Sequence, residues 1–211
     1  MSSALIVSGG YEPHEPMQVA EVLAEALREE GFEVEIAPSL DAFGDADLLA
    51  GQDLIVPNWT SAEAEPEQVR PLLDAVRAGA GIAGLHGGMG CTLAGVYEYQ
   101  HMVGGQFVCH PGGFVDYRVE ITAPDHPIMA GAEDFTLEQT ELYYMHIDPA
   151  IEVLAEIPVP GEDVRMPAVW THRYGEGRVF YCSPGHDRRI VSMPEVLAIM
   201  TRGMLWAAGE L

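Results

Sequence analysis

The sequence predicts a doubly wound α/β protein, with a mainly parallel sheet and helices on both faces. Three observations predict it. Short apolar runs such as Ala4-Leu5-Ile6-Val7 lack polar alternation, as strands buried on both faces require. Segments with apolar residues three and four apart separate these runs. The resulting order over the first 85 residues is strand, helix, strand, loop, strand, helix, strand, which lays parallel strands side by side through crossover helices.

The first strand, Ala4–Val7, ends in Ser8-Gly9-Gly10. Val19, Leu23, Ala26 and Leu27 then mark one face of a helix, Glu21, Glu25, Arg28 and Glu29 the other, and Gly31 stands where a C-cap would. Phe32, Val34 and Ile36 alternate with Glu33 and Glu35, which predicts a strand near a sheet edge. Asp53–Pro57 is a further buried strand. Val69, Leu72, Leu73 and Val76 give a second helix, with Pro71 implying a late start or a kink. Gly81–Leu85 is the next strand. Beyond it, residues 100–116 read as loop, rich in Gly, Pro and His. Tyr117–Ile121, Ile151–Leu154, Ala168–Trp170 and Gly177–Tyr181 read as strands, and residues 194–208 as a closing helix with Pro194 in its first turn. No linker or repeat is visible, so residues 1–211 are expected to form one domain.

Composition removes several classes of function. With 211 residues the chain can bury roughly 70% of its unfolded surface and needs no disulfide staples. Ten basic residues against 33 acidic ones give a net charge of −23, which disfavours nucleic acid and anionic membranes as partners. Every basic residue is Arg, so Schiff-base lysines, phosphate-loop lysines and Ser-Lys catalysis are excluded. The three cysteines, Cys91, Cys109 and Cys182, form no C-x-x-C pair, and no basic leader precedes the first strand, so a reduced cytoplasmic setting is expected. Cys182, in an apolar run, is expected in the core.

Gly84-Leu85-His86-Gly87-Gly88 is the most informative stretch. A buried strand runs into glycines that flank a single polar residue, as a sharp strand-to-helix elbow demands. Such an elbow holds its central side chain at the carboxyl end of the sheet, where open α/β folds bind ligands. The central residue is His86, not Ser or Cys. Five of the eight histidines lie next to Gly or Pro or in a loop after a strand: among them His14 comes after the first strand, His110 lies in Gly104–Pro111, and His186 follows the Gly177–Cys182 strand. Loops after parallel strands gather on one edge, so these imidazoles are expected to share a pocket.

The ordered set of motifs resembles the trehalose-utilisation (ThuA-like) family, within the class I glutamine amidotransferase-like superfamily. The resemblance rests on Ile6–His14, Gly84–Gly88, Gly104-Gly105-Gln106-Phe107 with His110-Pro111, and Asp125-His126-Pro127-Ile128. It continues through Glu141-Leu142-Tyr143, Trp170–Gly175, Gly177–Tyr181 and Gly185-His186. It implies a flavodoxin-like sheet and a carbohydrate or oxidised-sugar ligand. True glutamine amidotransferases carry Cys at the elbow and a late His-Pro-Glu. Here His86 stands at the nucleophile position and Asp187 follows His186, so glutamine hydrolysis through a thiolate is not expected.

The resulting expectation is an enzyme of carbohydrate utilisation that uses histidine acid–base chemistry on a disaccharide or keto-sugar. His86, His110, Glu141 and His186 are the expected catalytic residues, facing one cavity, with His14 and His172 at its border. Gly87, Gly88, Gln106, Tyr143 and Trp170 are expected to contact the ligand, the two aromatics by stacking. Glu141 enters on the family pattern. No cofactor is required by the sequence. Zinc held by the histidines and Glu141 is the competing reading, although no H-x-x-x-H or H-E-x-x-H occurs. A non-catalytic sugar-binding or regulatory module is a third, and a homo-oligomer is left open.

Overall fold

The computed structural model describes residues 1–211. Its first half follows the predicted alternation. β1 (Ser3–Gly10) leads through a short 3-10 turn, Glu12–His14, into α1 (Pro16–Glu29), then β2 (Glu33–Ala37). A one-turn α2 (Ala46–Leu49) precedes β3 (Leu54–Thr60), α3 (Pro66–Ala78), β4 (Gly81–Leu85) and a single turn of helix, α4 (His86–Gly90). α3 starts five residues before Pro71, so the expected late start does not occur. Pro66 occupies its first turn, and the Gln68 side chain accepts a hydrogen bond from the Glu65 N–H at 2.9 Å.

The stretch read as loop is structured. α5 (Tyr97–Val103) buries Tyr99, Met102 and Val103, and Gly104 closes it at φ 81°. β5 (Gly105–Cys109) follows, and β6 (Phe114–Ile121) begins directly after Gly112 and Gly113. The abundant Gly, Pro and His masked a short helical period there. The chain continues through β7 (Phe135–Glu141), β8 (Tyr144–Ile147), β9 (Glu152–Pro158), β10 (Arg165–Tyr174), β11 (Gly177–Cys182), α6 (Arg188–Val191) and α7 (Pro194–Ala208).

Nine strands form one sheet in the order β2-β1-β3-β4-β11-β10-β9-β6-β7. β2, β1, β3, β4 and β11 are paired in parallel. From β10 outward the pairing is antiparallel. The fold class is therefore the expected one, a mixed and mostly parallel sheet with helices, extended by an antiparallel arm. β2 is an edge strand, as its alternation predicted, and its Glu33 and Glu35 are exposed. A single continuous core of 60 buried residues runs under both halves, so the arm is packed onto the parallel half. β5 and β8 form a separate antiparallel ribbon. Cys182 is buried, as expected.

This topology positions the site. The carboxyl ends of β1, β3, β4 and β11 lie side by side, and β1 and β3 flank the point where strand order reverses. The antiparallel arm returns to that edge. Phe114 at the start of β6 pairs with Glu141 at the end of β7, and the Tyr117 hydroxyl donates to the Glu141 carbonyl at 3.2 Å.

Candidate functional site: a histidine and glutamate cluster at the carboxyl edge

Four elements far apart in sequence bring His14, His86, Glu141 and His186 together, with one ligand atom from each lying within 4.8 Å of the others. His14 comes from the turn after β1, His86 from the end of β4, His186 from the loop after β11, and Glu141 from the end of β7. Glu141 Oε2 is the focus. His86 Nε2 is 3.2 Å from it, His186 Nδ1 3.3 Å and His14 Nε2 3.8 Å. On the solvent side His110 Nε2 approaches Oε1 at 3.8 Å, and its side chain is 45% exposed whereas that of His86 is 1% exposed. His110 is thus the one histidine around Glu141 that is open to bulk water.

The elbow at His86 is sharp. His86 has φ 44°, in the left-handed region that L-residues other than Asn and Asp seldom enter, and the Tyr181 hydroxyl donates to its carbonyl at 3.0 Å. The glycines after it are required by close approach. A Cβ on Gly87 would stand 2.8 Å from Thr60 Oγ1 and 2.9 Å from the Tyr143 hydroxyl, and one on Gly88 2.7 Å from Asn58 Oδ1. Four of the five residues other than glycine with positive φ lie in this region: Glu15 beside His14, Ser61 beside Thr60, His86 itself, and Gln139 two residues before Glu141. Strain gathered around one cluster is the pattern of a site whose geometry the surrounding fold over-determines.

Neighbours fix the imidazoles. His86 Nδ1 lies 2.9 Å from the Ser183 carbonyl. A carbonyl oxygen only accepts, so Nδ1 carries the proton and Nε2 is the atom turned toward Glu141. His14 Nδ1 lies 2.9 Å from Thr60 Oγ1. The loop carrying His14 is tied down by Asn58, whose amide donates to Ser8 Oγ at 3.0 Å and to the Pro16 carbonyl at 2.8 Å. Tyr143 packs over the His86 ring with centroids 3.9 Å apart. Burial pushes the His86 imidazole down to about 4, against hydrogen bonds to Glu141 and Ser183 that pull it up. Burial also acts to raise Glu141, but the facing imidazoles of His14, His186 and His86 outweigh it and hold the carboxyl well below its usual range.

Neutral His86 and ionised Glu141 leave two lone-pair atoms face to face at 3.2 Å. His186 Nδ1 is buried with no hydrogen-bond partner, although Oε2 is 3.3 Å away. Ring nitrogens converging on one carboxylate oxygen in this way suit a shared proton or a cation. Ligand atoms about 2.1 Å from a tetrahedral zinc ion stand roughly 3.4 Å from each other. The contacts of Glu141 with His86 and His186 have that spacing, and the widest pair, up to 4.8 Å apart, must close by about 1.4 Å. The second contacts of His86 and His14, to a carbonyl and a hydroxyl, are the kind that orient metal-binding imidazoles.

The structure brings together most of the expected residues and separates some. His86, His110, Glu141 and His186 share the site, and His14, expected at its border, is inside it. Gly87 and Tyr143 wall it, whereas Gly88 packs against Asn58. Gln106 lies outside the cluster, in a neighbouring cleft of about 450 Å³ with Ser61, Cys91 and Phe107. Trp170 is a correction. It has no exposed surface, its Nε1 donates to the Val103 carbonyl at 2.9 Å, and its ring packs on Tyr181, so it is a core residue that no ligand can stack on. His172 is another: β10 runs against β11, and the pairing of His172 with Val179 places it away from the carboxyl edge, near His101. Residues that sequence reasoning missed are Thr60 and Ser183, which orient two imidazoles, and Tyr11 and Phe114, whose rings stand edge-on to His14 and His186 at 5.0 and 4.9 Å. Ser183 acts through its backbone, which no side-chain motif reveals. A hollow of about 810 Å³ beside Asp41, Asp45 and Glu67 contains none of the histidines.

A doubly wound, mostly parallel α/β sheet with a histidine elbow and a His/Glu cluster at its carboxyl edge defines the class of fold and site. The chain belongs to the trehalose-utilisation (ThuA) family, which matches residues 3–207. Among solved structures it is similar to a ThuA-like protein from Parabacteroides merdae, with 20% identity and a TM-score of 0.79 over 98% of this chain and 90% of that one. It is also similar to a ThuA-like protein from Bacteroides uniformis, with 18% identity and a TM-score of 0.80 over 98% and 91%. A protein of Salmonella typhimurium described as cytoplasmic matches at 16% identity and a TM-score of 0.65 over 100% and 98%. At these identities the likeness is one of fold. No curated protein matches the sequence. No helix is long and apolar enough to cross a membrane.

Proposed function

We propose that this protein is a cytoplasmic enzyme of carbohydrate utilisation whose centre is a divalent cation of the zinc class held by His14, His86, Glu141 and His186. The carrying observation is the fixed tautomer of His86. Its Nδ1 is committed to the Ser183 carbonyl, so a buried Nε2 lone pair points at a carboxylate oxygen 3.2 Å away. The family's tie to trehalose utilisation supports a disaccharide or keto-sugar as substrate.

In this reading Glu141, His14, His86 and His186 bind and orient. When bound, such an ion would polarise a sugar oxygen or lower the pKa of a water. His110 stays outside the ligand set, exposed and 3.8 Å from Glu141 Oε1, and is placed to give or take a proton at the substrate. Tyr143, over the His86 ring, keeps water from that side.

A second reading needs no ion. The 3.2 and 3.3 Å contacts of His86 and His186 with Oε2 are short enough for imidazole–carboxylate proton sharing, which would serve acid–base catalysis directly. Metal content of the purified protein, and turnover of trehalose, sucrose and their keto derivatives before and after chelation, separate the two. Bound metal near one equivalent and loss of turnover on chelation support the first. Full turnover by metal-free protein supports the second. No turnover of any sugar by metal-loaded protein contradicts both.

A further inference from the structure

Exposed rings scattered singly need no explanation, but exposed rings grouped around a polar cluster can mark a ligand groove. Three rings are strongly exposed here, Tyr11, Tyr97 and Phe114, and two of them border the cluster. Tyr11 lies on the loop after β1 and is 52% exposed. Its ring stands perpendicular to His14, with centroids 5.0 Å apart. Phe114 opens β6, is also 52% exposed, and stands at 85° to His186, 4.9 Å away. His14 and His186 are themselves in contact at 4.9 Å, so the two open rings rise from either side of one pair of imidazoles.

Their supports are built to hold them. Phe114 pairs across the ladder with Glu141, the residue at the centre of the cluster. Tyr11 leads into the 3-10 turn that ends at His14. Each ring is thus on the same short piece of backbone as, or directly opposite, a residue of the centre.

We infer that Tyr11 and Phe114 are the two sides of a sugar clasp, which takes the apolar C–H faces of an uncharged pyranose and presents its hydroxyls to His110 and Glu141. An exposed ring offers a flat apolar face, and a pyranose is the common small molecule that is flat and apolar on its faces and polar at its rim. The charge of −23, with no arginine hydrogen-bonded or ion-paired to any residue of the cluster, selects against phosphorylated sugars. The clasp replaces Trp170 in the stacking role, and it rests on the carbohydrate reading above.

The test is calorimetric titration of metal-loaded protein with trehalose, maltose, sucrose and glucose 6-phosphate, using wild type, Tyr11→Ala, Phe114→Ala and Tyr11→Phe. Both side chains are half in solvent, so all variants are expected to fold, and circular dichroism checks this. Each alanine variant is expected to bind the neutral disaccharide about tenfold more weakly, Tyr11→Phe to bind like wild type, and the sugar phosphate not to bind. Saturation-transfer NMR should carry magnetisation from aromatic protons to sugar C–H protons in wild type and lose it in the double alanine variant. Unchanged affinity in both alanine variants overturns the clasp and leaves the carbohydrate reading standing. Failure of wild type to bind any sugar overturns both.

Discussion

His86 and Ser183 are joined by a contact of 2.9 Å between Nδ1 and a backbone carbonyl, and it decides how the whole cluster is wired. Because the carbonyl accepts, Nε2 is left to face Glu141. Ser183 follows β11 and His86 follows β4, and these strands are parallel neighbours with Cys182 paired to Leu85. The sheet register itself therefore sets the tautomer. Replacing His86 with Gln keeps a donor for Ser183 and removes the ring nitrogen. His86→Gln should keep the fold by circular dichroism and lower metal affinity at least about 100-fold in a chelator-competition assay.

Gly87 tests the crowding at the elbow. A methyl group there meets Thr60 Oγ1 and the Tyr143 hydroxyl below 3 Å. Gly87→Ala is expected to lose about 1–3 kcal/mol in urea unfolding and to displace Tyr143 from the His86 ring. Unchanged stability would show that the elbow has room the structure does not indicate.

Trp170 should behave as core alone. Trp170→Ala is expected to cost about 3–5 kcal/mol of stability. Trp170→Phe should cost about 1 kcal/mol, from the lost hydrogen bond to the Val103 carbonyl, and leave sugar affinity as in wild type. A large affinity loss in well-folded Trp170→Phe would return Trp170 to the site.

Cys91 should not act as a nucleophile. Burial pushes its thiol up to about 11, and its Sγ lies 3.7 Å from the Tyr143 hydroxyl, past the elbow. No glutaminase activity is expected, and Cys91→Ser should keep sugar turnover within about twofold. Glutamine hydrolysis that disappears in Cys91→Ser would contradict this.

Asp116 gives a pH signature. Its carboxylate accepts from the Gln139 side-chain amide and backbone N–H, which hold its pKa below the usual value. A carboxyl lowered on folding contributes stability above its unfolded pKa, near 4, and loses it as pH falls through the folded value. The stability difference between wild type and Asp116→Asn should be present at pH 7 and shrink in acid below about pH 4. A difference independent of pH would show that Asp116 does not hold Gln139 through its charge.

The parallel half of the fold was legible because buried strands and amphipathic helices have distinct periods, and three of the site histidines follow such strands directly. The elbow was readable for the same reason: glycines around His86 have one steric meaning. The carboxylate was not. Glu141 ends β7, a strand whose alternation is broken by the left-handed Gln139, and only the family pattern pointed to it. Trp170 was misplaced because an aromatic on a strand looks the same whether its face meets a ligand or Tyr181. Direction mattered for His172, since nothing local says that β10 runs against its neighbour. The exposed rings of Tyr11 and Phe114 gave no signal in sequence, because exposure is a property of the finished fold.

The most direct measurement is a cobalt(II) titration of chelator-treated protein, followed by visible absorption, in wild type, His86→Gln and Glu141→Gln. Cobalt(II) takes the sites zinc does and reports its coordination in the visible spectrum. The account predicts saturation at one equivalent in wild type, with the intense bands of a four-coordinate ion that zinc displaces, and loss of those bands in both variants. Absence of binding by wild type, or the same spectrum in Glu141→Gln, would contradict a cation centre at His14, His86, Glu141 and His186.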